Sequence, residues 1–131
     1  MTTEPSNRFV EVALKRANEA LRGAGILLKE RELHGAVSRA YYCVFHAAEA
    51  VLYSKGIKAR SHAGLRSLFG EHIVKPGIMG REFADILRDA FSARQLSDYE
   101  VYADIGFEEV TALVTRADQF LNAAKDLLKK T

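Results

Sequence analysis

Two groups of residues in this 131-residue chain could do chemistry. The first is the line Arg39, Tyr42, His46, Glu49 and Tyr53, spaced by three and four so that on a helix they stack along one face. A guanidinium, two phenols, an imidazole and a carboxylate can ionise, hydrogen-bond or recognise an anion. A helix that only has to be wetted carries Lys, Glu and Gln there instead. The line therefore points to a ligand, a partner subunit or a catalytic centre, against the plainer alternative of a solvated face. The second group is Arg94-Gln95-Leu96-Ser97-Asp98-Tyr99. Arg94 falls three residues after Phe91 and four after Ala90, so it continues an apolar face rather than a solvent face. Such an arginine is either the ion-pair partner of Asp98 one turn later or a phosphate ligand at the edge of a cleft. Tyr99 and Tyr102 follow as phenols in an acidic connection.

The helix that carries the first line has a second, apolar face at Val37, Ala40/Tyr41, Val44, Ala48 and Val51/Leu52. It is predicted to run from about Glu32 to Lys55 and to stop at Gly56, a residue suited to the left-handed position after a helix. Ahead of it, a helix opening after Pro5-Ser6 buries Val10, Ala13/Leu14, Ala17, Leu21, Ala24 and Leu28. A shorter helix starts at Ser61 as cap and carries Leu65, Leu68 and Phe69. The stretch Val74 to Gly80, with Pro76-Gly77 inside it, is the clearest breaker. The next helix spans about Arg81 to Leu96 and buries Phe83, Ile86/Leu87 and Ala90/Phe91. The last starts near Phe107, buries Val110, Leu113/Val114, Ala117, Phe120/Leu121, Ala124 and Leu127/Leu128, and ends with Lys129-Lys130, where cations favour the helix dipole. No β alternation occurs. Four long helices and one short one give an all-α, antiparallel up-and-down bundle in a single domain, residues 1–131.

Composition narrows the function classes. No apolar run approaches the roughly 20 residues that span a bilayer, so no membrane role is expected. Met1 to Asn7 has no apolar stretch of the signal-peptide kind. The lone Cys43, inside an apolar helix, reads as a small buried hydrophobe in a reducing cytoplasm. The net charge of +2 is too small to announce a nucleic-acid binder by itself. Its distribution is uneven: residues 1–60 hold ten Lys/Arg against six acids, whereas Gln95 to Thr115 has no Lys or Arg beside Asp98, Glu100, Asp104, Glu108 and Glu109. That asymmetry suits orientation of a protein partner. Phosphate-loop, dinucleotide-fingerprint, HExxH and CxxC motifs are all missing. His34, His46, His62 and His72 lack the spacing of a metal site, so neither metal nor cofactor is expected. The acid pairs Glu108-Glu109 and Glu30/Glu32 fall at helix starts, where they have structural reasons to be.

The run Ser38-Arg39-Ala40-Tyr41-Tyr42-Cys43-Val44-Phe45-His46-Ala47-Ala48 resembles a signature helix of the HEPN family, a prokaryotic and eukaryotic nucleotide-binding domain. Lys55-Gly56-Ile57, Ser61-His62-Ala63-Gly64, Leu68-Phe69-Gly70 and Arg94 with Tyr99 recur in matching order, so that the resemblance covers about residues 8–128. It is nearest to the small stand-alone members often encoded beside a minimal nucleotidyltransferase. The resemblance implies a bundle that dimerises, with Arg94-type residues of both subunits lining a shared cleft. Ligand groups there would be Arg94, Tyr42, His46 and Tyr99, with Arg39, Tyr42, Glu49 and Tyr53 at the interface. The family's metal-independent ribonucleases use Arg, four to six residues, then His. Here Tyr99 stands in the histidine's place, and a phenol titrates near 10 against about 6.5 for imidazole. The resemblance therefore implies weak or absent cleavage, with Arg94 and His46 as the catalytic pair if any survives. In toxin–antitoxin pairs of this family, the nucleotidyltransferase attaches AMP to a tyrosine just beyond the arginine, which would fall on Tyr99 or Tyr102. The expectation is a cytoplasmic homodimer that binds nucleotide or RNA phosphate and works with such a transferase. A metal-independent endoribonuclease toxin and a non-catalytic dimerisation module are the alternatives.

Overall fold

The helical spacing becomes five α-helices in the computed structural model, which describes residues 5–99 and 104–129, with side chains from residue 7 onward. They are α1 (Pro5–Lys29), α2 (Leu33–Ser54), α3 (His62–Phe69), α4 (Arg81–Tyr99) and α5 (Phe107–Lys129), with a π-helical turn at Gly70–Val74 between α3 and α4. No strand occurs among the described residues, and the all-α bundle expected from the spacing is the fold. None of the described helices is long and apolar enough to cross a membrane.

Helix α2 is the central element. Its apolar stripe, Val37, Ala40, Tyr41, Val44, Ala48, Val51 and Leu52, is buried throughout, and it packs on α1, α5, α4 and α3. The α1–α2 pairing is the most extensive. Both helices bury alanines, Ala17, Ala20 and Ala24 on one and Ala36, Ala40 and Ala47 on the other, and short side chains let two helix axes approach closely. Helix α5 contributes Val110, Leu113, Ala117, Phe120, Leu121 and Ala124 to the same core. Cys43 is fully buried, its Sγ 3.8 Å from the Ala117 carbonyl oxygen. Burial above all, and then the nearby Asp118 charge, pushes its thiol up to about 12, so it acts as a small hydrophobe.

The connections explain where the helices stop. After α2, Gly56 adopts φ 75°, and the amides of Gly56 and Ile57 bond back to the carbonyls of Tyr53 and Leu52. After the π-helical turn, Gly77 at φ 83° repeats the arrangement, with Gly77 and Ile78 bonding back to Val74 and Ile73. Both are Schellman-type endings that need the left-handed region glycine enters freely. The turn between α1 and α2 uses Arg31 at φ 63° instead. Its guanidinium lies 3.6 Å from the centroid of the Phe107 ring, tying that turn to the start of α5. Ser61 caps α3, its hydroxyl oxygen accepting from the Gly64 amide at 2.9 Å. Ser61→Ala should therefore lower stability by about 0.5–2 kcal/mol. Urea denaturation checks this, and an unchanged midpoint would show that α3 is held by packing alone.

Two expectations need correction. Helix α4 continues to Tyr99 instead of ending near Leu96. Ser97 is buried, with its Oγ 2.5 Å from His34 Nδ1, and Asp98 faces Arg94 one turn back. Both polar residues thus have partners that favour another helical turn, and Tyr99 is the helix's last residue, not a loop phenol. The short helix continues through the π-helical turn to Val74, and the chain breaks in the Val74–Gly80 stretch as the sequence indicates. Of the acid pairs, Glu108 and Glu109 do occupy the first turn of α5. Glu30 sits in the α1–α2 turn, and Glu32 takes the cap position of α2 without a side-chain cap bond. Tyr102 lies outside the described residues.

Candidate functional site

Arg94 sits on α4 where that helix meets α2. Its side chain is 26% exposed. The guanidinium carbon lies 4.9 Å from the Tyr42 ring centroid and 5.4 Å from that of Tyr41, a cation held against two aromatic faces. Nε is 3.5 Å from Asp98 Oδ2, too far and too poorly aligned for a hydrogen bond. That buried nitrogen has no hydrogen-bond partner among the described residues. The Asp98 pair anticipated from the sequence is present, but a loose pair with a half-exposed carboxylate contributes little.

The line on α2 divides into three parts. Tyr42 joins Arg94 and stacks on His46, ring centroids 5.9 Å apart at 27°. His46 Nδ1 is 2.6 Å from Glu49 Oε1. Glu49 is also hydrogen-bonded to Tyr53, whose phenol is raised by burial first and by the Glu49 carboxylate second. Tyr53 packs in turn on Phe9 of α1, centroids 5.3 Å apart. Arg39 is exposed and lies across α1 at Gly23, its Nε 3.0 Å from where a β-carbon would stand. A cavity of about 300 Å³ opens beside this line, bounded by Arg16, Glu19, Ala20, Arg39, Tyr42 and His46.

Two residues not anticipated for the site come from α3. His62 stacks on Phe45, centroids 4.6 Å apart at 28°, and on Tyr41, 5.6 Å apart at 18°. Its Nδ1 is hydrogen-bonded to the Tyr41 hydroxyl. Arg66, one turn further along α3, places its guanidinium carbon 3.8 Å from the Phe91 ring centroid, and Phe91 packs on Tyr41 at 5.8 Å. Arg66 Nη1 is buried and, like Arg94 Nε, has no hydrogen-bond partner among the described residues. Both arginines act on His62: burial first, then Arg94 and Arg66, hold its imidazole below the ordinary value. The sequence does hold a signal for this pair, since His62 and Arg66 are four apart and share a face of α3.

Tyr99 is not part of this cluster. Five residues turn a helix by about 140° net, which carries Tyr99 away from the Arg94 side, and it is 80% exposed. Among the described residues no group of three or more His, Cys, Asp or Glu could hold a metal ion.

Fold and site together define an all-α bundle with a cationic, aromatic-lined patch where α2, α3 and α4 meet. Residues 10–130 match the HEPN domain family, and the chain belongs to it. It is 32% identical over 122 residues to a UPF0332 protein of Thermotoga maritima, covering 93% of this chain and 92% of that one. A Methanocaldococcus jannaschii protein named "Putative toxin" is 30% identical over 121 residues, covering 92% of this chain and 90% of its own. A UPF0332 protein of Pyrococcus horikoshii is 41% identical over 88 residues, or 67% of this chain and 62% of the other.

Proposed function

We propose that this HEPN protein binds the phosphate of a nucleotide or RNA at Arg94, in a cleft formed by two copies of the chain in the cytoplasm. In this reading it works as one half of a toxin–antitoxin-like pair with a separately encoded minimal nucleotidyltransferase. The observation that carries the phosphate role is the Arg94 guanidinium, fixed against Tyr41 and Tyr42 with a buried Nε that has no hydrogen-bond partner among the described residues. A pre-positioned planar guanidinium with donors to spare matches phosphate oxygens better than a flexible ammonium does. The half-buried Tyr42 and Tyr53 give the dimer face its aromatic character, with Glu49 between them as a polar group. The toxin-like pairing is supported by family membership and by the relative whose name calls it a toxin. Tyr99, open to solvent, is the phenol that a transferring partner would reach.

Arg94→Ala should weaken binding of AMP, measured by calorimetry, by about 1.5–3 kcal/mol, the scale of a charge-assisted hydrogen bond. Its thermal stability should stay close to wild type. Asp98→Ala should leave AMP binding intact or strengthen it, because it removes a competing anion. If Arg94→Ala and Asp98→Ala behave alike and neither moves AMP affinity, Arg94 is only a structural ion-pair partner and the phosphate role fails.

A further inference from the structure

We infer that His62 and Arg66 are two further ligands of the phosphate site at Arg94, with His62 held as the neutral imidazole that donates from Nε2 to a phosphate oxygen. This rests on the phosphate reading of Arg94 and extends it to α3.

Two donor groups lie against the Tyr41 ring, and a third is linked to it through Phe91. Arg94 lies 5.4 Å from the Tyr41 centroid and His62 stacks on it at 5.6 Å. Arg66 approaches through Phe91, itself 5.8 Å from Tyr41. Two guanidiniums that both act on one imidazole repel each other, a cost that an anion between them offsets, and each keeps a buried N–H without an acceptor among the described residues. The carboxylates at hand do not resolve this. Asp98 is 3.5 Å from Arg94 outside bonding geometry, and Glu49 is committed to His46 and Tyr53. A phosphate mono- or diester oxyanion supplies several acceptors at once and fits a planar fork.

The tautomer follows from Tyr41. That side chain is fully buried, and burial pushes its phenol up to about 12, so the O–H is present at neutral pH. A buried hydroxyl needs an acceptor, and its described partner is His62 Nδ1. Nδ1 therefore accepts, and in the neutral ring the proton sits on Nε2. The charged groups facing His62 are Arg66 on its own helix, Arg94 from α4, and His46 and Glu49 from α2. Only Glu49 favours the imidazolium, while burial and the other three oppose it. His62 thus supplies a hydrogen-bond donor without adding a third full charge between the arginines.

The test uses the whole chain with AMP as probe and adenosine as control. Arg66→Ala and His62→Ala should each weaken AMP binding about tenfold or more and leave any adenosine binding unmoved. His62→Gln, whose amide nitrogen can stand near Nε2, should stay within about threefold of wild type. Arg88→Ala removes the same charge as Arg66→Ala from a side chain 64% exposed and should bind as wild type. Nitrogen NMR of the unmutated protein at pH 7 should show His62 neutral with its proton on Nε2, and that N–H should shift when AMP is added. This signal stands even if a variant folds poorly. Arg66→Ala and His62→Ala binding AMP as well as wild type, while Arg94→Ala does not, would overturn the inference and leave the Arg94 reading in place. An Nδ1-protonated or charged His62 would overturn the donor assignment. Failure of wild type to bind AMP at all would remove the Arg94 reading and this extension together.

Discussion

Replacing Phe120 by Ala should remove about 3–5 kcal/mol of stability, the cost of a cavity left by a large buried ring. Phe120 on α5 is fully buried, with the Phe69 ring 5.5 Å away and the Phe83 ring 5.7 Å away edge-on. Domains of this size have only about 5–15 kcal/mol to lose. Urea midpoints should fall accordingly, and thermal midpoints by roughly 10–20 °C. Phe120→Leu should lose a smaller part. The ring also matters to the site: Phe69 ends α3, so Phe120 sets where α3 rests and hence where His62 and Arg66 stand. Phe120→Leu should therefore broaden the His62 imidazole signal while leaving Ala-rich α1 and α2 folded. A loss below about 1 kcal/mol in Phe120→Ala would mean that the α3–α5 contact is not a principal part of the core.

The fold was legible because each long helix carries one apolar face at helical spacing, and burial of that face leaves little choice of packing. The stripe Val37 to Leu52, the glycine ending at Gly56 and the Ser61 cap all read directly from residue type and interval. The end of α4 did not, because Ser97 and Asp98 resemble a stop until their partners His34 and Arg94 are known. For the same reason the site was legible only in part. The position of Arg94 at the edge of an apolar face is a local property, and it holds. Its contact with Tyr42 joins two helices, and nothing in either helix's spacing contains it. Tyr99 is near Arg94 in the chain yet lies round the helix from it, so proximity in sequence misled where a three- or four-residue interval would not have. His62 and Arg66 have that interval, but their role arises from the docking of α3 against Tyr41 and Phe91.

Incubated with single-stranded RNA and excess chelator, the protein should cleave no faster than its Arg94→Ala variant. Attack of a 2′-hydroxyl on the adjacent phosphate needs a cation for the developing charge and a group that moves protons, the second worth about 10²–10⁴ in rate. Arg94 and Arg66 can supply the first. For the second, the linear motif offers Tyr99, but its ring is 80% exposed and on another side of α4. His46 donates Nδ1–H to Glu49 at 2.6 Å and so keeps a free Nε2 lone pair, but its described link to Arg94 runs through the Tyr42 ring, which separates it from a phosphate held at Arg94 and Arg66. His62 feels the charge of both arginines, yet its Nδ1 accepts the hydrogen bond of the Tyr41 hydroxyl and its Nε2 carries the ring proton, so the neutral ring has no free lone pair to accept another. Tyr99→His should accordingly leave the rate within about twofold of wild type, since it places an imidazole on another side of α4 from Arg94. Tyr41→Phe is the more telling change. It frees Nδ1 of His62, and any gain in chelator-resistant cleavage should come from that variant, rising as pH passes through the range in which imidazole loses its proton. Vigorous cleavage by wild type that disappears in both Arg94→Ala and His46→Ala would make the protein a metal-independent ribonuclease, with His46 rather than His62 carrying the proton.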